Sequence, residues 1–78
     1  MKYMIFTPAN TFYKEKEQAC KNPPHTWEAY PDTVEGLTKI VEMEYKEMLA
    51  QSGTMEKMHE IVHLSAALQC LWEKLHAQ

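Results

Sequence analysis

Glycine is scarce: the 78-residue chain has two. A turn-rich β architecture would need more, so the shortage favours helices. Cysteine is scarce as well. Cys20 and Cys70 are too few for the disulfide framework of a small secreted domain. Positive charge is not in surplus: 8 basic residues face 11 acidic ones, for a net charge of −3. No basic stripe is present to track a phosphate backbone, which excludes nucleic acid as a partner. Long apolar runs are missing too. None approaches the roughly 20 residues of a membrane span. The stretch Tyr3-Met4-Ile5-Phe6 is too short for a signal peptide. A reduced, cytoplasmic protein with no membrane partner is expected.

What is present is ordinary globular material. Hydrophobic residues make up 45% and charged residues 24%, too apolar for a disordered chain. A chain this short makes one domain with a small core, so a homo-oligomer is expected. The fold class expected is all-α. An extended arm covers 1–9, a short helix 10–21, a loop 22–31, and a long antiparallel hairpin 32–51 and 54–76. Oligomerisation completes the bundle.

The order of residues supports each element. Met1 to Thr7 is apolar without a helical stripe and ends at Pro8, so it reads as an arm or lone strand. Asn10 or Thr11 can cap the short helix, and Asn22-Pro23-Pro24 ends it. Trp27 and Tyr30 in the following loop suit the end of a small core, or else a binding surface. Asp32 with Glu35 stands in capping-box register. Val34, Leu37, Ile40, Val41, Met48 and Leu49 then recur at helical spacing. Ser52-Gly53-Thr54 reads as stop and restart, with Gly53 left-handed and Thr54 as the next cap. Beyond it, the apolar face from Met55 to Leu75 is wider than one helix covers. Leu68, Leu71, Trp72 and Leu75 are therefore expected near a subunit interface.

Four polar residues interrupt this pattern at matching heights. Glu47 and Glu60 lie roughly 10 Å from the turn, and Glu44 and His63 roughly 14 Å, at 1.5 Å per residue. Within each helix the partners are three apart and share a face. Glu44 falls inside the apolar stripe, where a carboxylate is costly unless paired or bound to a cation. If the faces meet, three carboxylates and an imidazole converge on one metal site: Glu44, Glu47, Glu60 and His63. The plain alternative is a polar seam that holds no ligand.

Two motifs draw on these residues. His59-Glu60-Ile61-Val62-His63 is a literal H-E-x-x-H. On a helix, its imidazoles can share a zinc ion while the glutamate activates water. It resembles the zincin metallopeptidases over five residues, and implies Zn2+ on His59 and His63. The segment before it, with Glu56 and Lys57, is not apolar as in those enzymes. The other motif is Glu44-Tyr45-Lys46-Glu47, twelve residues, then Glu60-Ile61-Val62-His63. It resembles the E-x-x-E … E-x-x-D pattern of the MazG-like, all-α nucleotide pyrophosphohydrolases, many of them from phages. The charged stretch Lys14 to Lys21, Trp27, and the run Ser65 to Leu75 match that family's layout, from about Glu15 onward. The resemblance implies carboxylates holding Mg2+ or Mn2+ against a nucleoside triphosphate. His63 departs from it by standing where the family has aspartate, and imidazole is a poor Mg2+ ligand.

The expected function is a MazG-like helical protein that binds a nucleotide or similar phosphorylated ligand, with hydrolysis weakened by His63. One alternative is a small phage-type interaction or inhibitor protein that masks a protein target with exposed Met and aromatic side chains. A zinc-dependent hydrolase is the other.

Overall fold

A computed structural model describes residues 8–78. Helix α1 spans Pro8–Lys21, a short 3-10 turn spans His25–Ala29, α2 spans Val34–Ala50 and α3 spans Thr54–His76. No strand occurs among the described residues, which are all-helical in class as expected. The expected arm lies outside the described residues up to position 7. Its last two positions are already helical: α1 starts at Pro8, whose fixed φ suits a first turn.

Helix α3 is the element on which both others pack. Its wide apolar face divides between two neighbours. Ala66 and Ala67 have no exposed surface, and Val62 is also buried. Two adjacent alanines keep the backbones close, near enough for the Cys20 thiol of α1 to meet the Ala66 carbonyl at 4.0 Å. From α2, Leu37 and Ile40 join this core, and so does Trp27 from the 3-10 turn. Trp27 is thus buried, as the core reading of its loop expects.

Helix α2 is capped one residue later than the spacing suggests. Thr33, not Asp32, is the N-cap, and its hydroxyl accepts from the Gly36 amide at 3.0 Å. Asp32 instead forms an ion pair with Lys74 of α3 at 3.0 Å. The chain from Pro31 folds tightly over Gly36, where any Cβ would overlap the Pro31 carbonyl oxygen. At the other end, Gly53 is not left-handed: its φ is −80° and ψ 146°. Gln51 is extended as well, so the link between α2 and α3 uses extended residues and no positive φ. Gly53, rather than Thr54, is the N-cap of α3, and its carbonyl accepts from Lys57 at 2.9 Å.

The far side of α3 is open. Leu68, Trp72 and Leu75 are exposed, as are Met55, Met58 and Ile61. Leu71 differs from expectation: it is half-buried and packs on the core. Among the described residues, no helix is long and apolar enough to cross a membrane.

Candidate metal centre

Burial singles out one residue. Glu44 is 1% exposed and is the largest fully buried side chain among the described residues. The apolar stripe that carries Leu37 and Ile40 into the core carries Glu44 with it, because position 44 is one turn beyond Ile40. A carboxylate placed there needs partners. One of its oxygens has an ideal one: the Trp27 indole Nε1 donates to Glu44 Oε2 at 2.6 Å. The 3-10 turn makes this possible. Trp27 and Tyr30 amides bond to the Pro24 and Trp27 carbonyls at 3.1 Å each, which aims the indole inward.

The other oxygen has no hydrogen-bond donor, and neither does Oε1 of Glu60. Both sit near one nitrogen of His63. Nδ1 lies 3.9 Å from Glu44 Oε1 and 3.7 Å from Glu60 Oε1. Those distances are too long for hydrogen bonds. They are close to what donors sharing one cation show, since bonds of about 2.0–2.2 Å leave neighbouring donors about 3–3.5 Å apart. One donor atom from each of Glu44, Glu60 and His63 fits within a mutual spread of 4.8 Å. The two pairs that share Nδ1 need only small shifts, and the widest pair must draw in by about 1 Å or more to close the set.

Electrostatics describe the same strain. Burial pushes the Glu44 carboxyl up to about 7, against the Trp27 bond, with Glu47 and Glu60 adding repulsion. Burial and neighbouring His59 push the His63 imidazole down, and Glu60 and Glu47 resist. Near neutral pH the imidazole therefore offers a lone pair rather than a charge. Either a shared proton or a cation can reconcile Glu44 with Glu60.

Of the residues singled out by spacing, the structure brings together Glu44, Glu60 and His63. Glu47 stands off, half-buried, and acts on the site only through its charge. His59 is exposed; its ring meets His63 edge-on at 4.3 Å between centroids and is not one of the converging donors. Trp27 is the residue that spacing missed as part of the site. A signal existed: a stripe carboxylate needs a donor, and a buried indole needs an acceptor.

No protein-family model matches the chain, and neither does any curated protein or solved structure. The chemistry of the centre thus rests on its own geometry. Two carboxylate oxygens and an imidazole nitrogen suit Mn2+ or Zn2+ better than Mg2+, which prefers oxygen alone. The Trp27 bond fixes the rotamer of the most buried carboxylate, as outer partners of metal ligands commonly do.

Proposed function

We propose that this chain is a MazG-like helical protein that holds a divalent cation on Glu44, Glu60 and His63, and through it a nucleotide or similar phosphorylated ligand. In this reading α2 and α3 are an antiparallel hairpin, and a second copy completes the bundle. One observation carries the proposal: a fully buried glutamate aims an unpartnered oxygen at a second carboxylate and an imidazole. Mn2+ or Zn2+ is the cation of choice. Phosphate capture without it has little support, because the chain's eight basic residues are all lysines and form no basic stripe.

Binding rather than hydrolysis is the role assigned. Hydrolysis needs further carboxylates to seat the attacking water, and Glu47 stands off from the cluster. The zincin-like reading fits less well, because Glu60 turns to the same point as His63 while His59 faces outward. The reading as an interaction protein draws support from the exposed methionines Met55 and Met58.

Thermal melts with Mn2+, Zn2+ and Mg2+, with and without a nucleoside triphosphate, test the proposal. Mn2+ and Zn2+ are expected to raise Tm in a concentration-dependent way. The nucleotide is expected to raise it further only when the cation is present. A melting curve that no cation moves overturns the site and leaves the interaction protein.

A further inference from the structure

Along the open side of α3, six residues alternate at spacings of three and four: Met58, Ile61, Ser65, Leu68, Trp72 and Leu75. That is the a/d rhythm of a helix seam, sustained over 18 positions. None of the six carries a charge. The five apolar ones are between 38% and 62% exposed. The buried side of the helix, with Val62, Ala66 and Ala67, is a different face, already used by α1 and α2. A 3.5-residue seam is a shape that another helix with the same seam matches.

We infer that this seam docks a second copy of the chain, α3 against α3 in antiparallel register about a two-fold axis between Ser65 and Leu68. This rests on the reading of the protein as self-assembling, and not on the cation site. Side-chain sizes select the direction. In the antiparallel register Ser65 meets the partner's Leu68, Ile61 meets the partner's Trp72, and Met58 meets the partner's Leu75. Each pair sets a small or slender group against a larger one. A parallel register would stack Trp72 on its own image and leave a gap between two serines. Room for the indole exists: a hollow of about 560 Å3 beside Ile61 is lined by Phe12, Met58 and Val62, with Glu15 and His59 at its polar part. Trp72 is held ready for it by stacking on His76, with ring centroids 4.9 Å apart and planes 7° from parallel.

Five apolar side chains between 38% and 62% exposed, with Met55 at their edge, supply an apolar centre of the kind a stable interface of about 1,200–2,000 Å2 is built around. A two-fold contact of this kind closes on itself and stops at the dimer.

Sedimentation of the full chain at tens of micromolar tests it, with circular dichroism as the check on folding. The wild type is expected at twice the 9.1 kDa chain mass. Leu68→Glu is expected to weaken the dimer at least about 100-fold, since it places an unpaired charge from each copy in the contact. Leu49→Glu, on exposed apolar surface of α2, is expected to leave the dimer intact. A double variant, Met58→Cys with Leu75→Cys, fixes the register: mild thiol oxidation is expected to yield covalent dimers that neither single variant nor the wild type gives. This readout stands even if Leu68→Glu fails to fold. A monomeric wild type overturns both the seam and the self-assembly. A wild-type dimer that survives Leu68→Glu, or that cross-links through Met58→Cys alone, overturns this seam or its direction while self-assembly stands.

Discussion

Replacing Glu44 by glutamine is the sharpest perturbation this structure offers. Glutamine keeps an acceptor for the Trp27 indole and adds an amide that can donate to Glu60, while removing the titrating group. The Glu44 carboxyl is raised from 4.5 to about 7, which corresponds to about 3 kcal/mol of preference for the neutral form. The folded state therefore holds a proton that the unfolded chain has released. Stability from this group is fully present below pH 4.5 and is lost as pH climbs to about 7. His63 acts in the opposite sense: its lowered value favours the folded state above the ordinary histidine range and costs stability in acid. The metal-free wild type alone thus shows a composite curve. The difference between wild type and Glu44→Gln isolates the carboxylate, because the imidazole is common to both. Between pH 5 and pH 8 the glutamine protein should gain about 2 kcal/mol on the wild type, or about 10 °C in Tm for a domain this size. Differential scanning calorimetry in chelator over that range measures it. Saturating Mn2+ or Zn2+ should neutralise the ionised carboxylate in the proton's place and restore the wild type at high pH, with no effect on the variant. Parallel curves for the two proteins from pH 5 to pH 9 would refute the reasoning.

Three further outcomes follow from named contacts. Trp27→Phe strips the donor from Glu44 Oε2 and should cost about 1–3 kcal/mol in urea denaturation, more at pH 8 than at pH 5 because the ionised acid loses most. His63→Asp should strengthen Mg2+ binding and weaken Zn2+ binding, by about tenfold each in calorimetric titration, since it trades a nitrogen for an oxygen. Gly36→Ala sets a methyl against the Pro31 backbone and should cost about 1–3 kcal/mol. At Gly53 only the flexible end of Glu56 is in the way, and alanine there should cost under about 1 kcal/mol in the same denaturation assay.

The helices and the lodged glutamate were legible because period decides them: Leu37, Ile40 and Glu44 lie on one helical face whatever packs against it. Matching heights along two helices were legible too, and they put Glu44 beside His63. Angle around the axis was not. Glu47 has nearly the height of Glu60 yet is not among the converging donors, because height counts residues from the turn while convergence depends on how each helix is rotated toward the other. Leu71 likewise packs against the core, and only the packing on α3 shows on which side of the stripe it falls. Trp27 escaped for a different reason. Its bond to Glu44 spans 17 residues and depends on a 3-10 turn that leaves no periodic trace. The caps at Thr33 and Gly53 each moved by one residue, since several neighbouring polar or small residues can cap equally well.

The two indoles give the molecule a pair of built-in dyes in contrasting surroundings. Trp27 is shut in the core with its nitrogen on an ionisable carboxylate. Trp72 lies 62% exposed against an imidazole. A buried indole emits to the blue of a wetted one. One emission spectrum, resolved into its two components, therefore follows the charge on Glu44 and the solvent cover of α3 as separate signals. The unlabelled protein can report, in a single cuvette, whether a cation has displaced the proton and whether a partner has covered the seam.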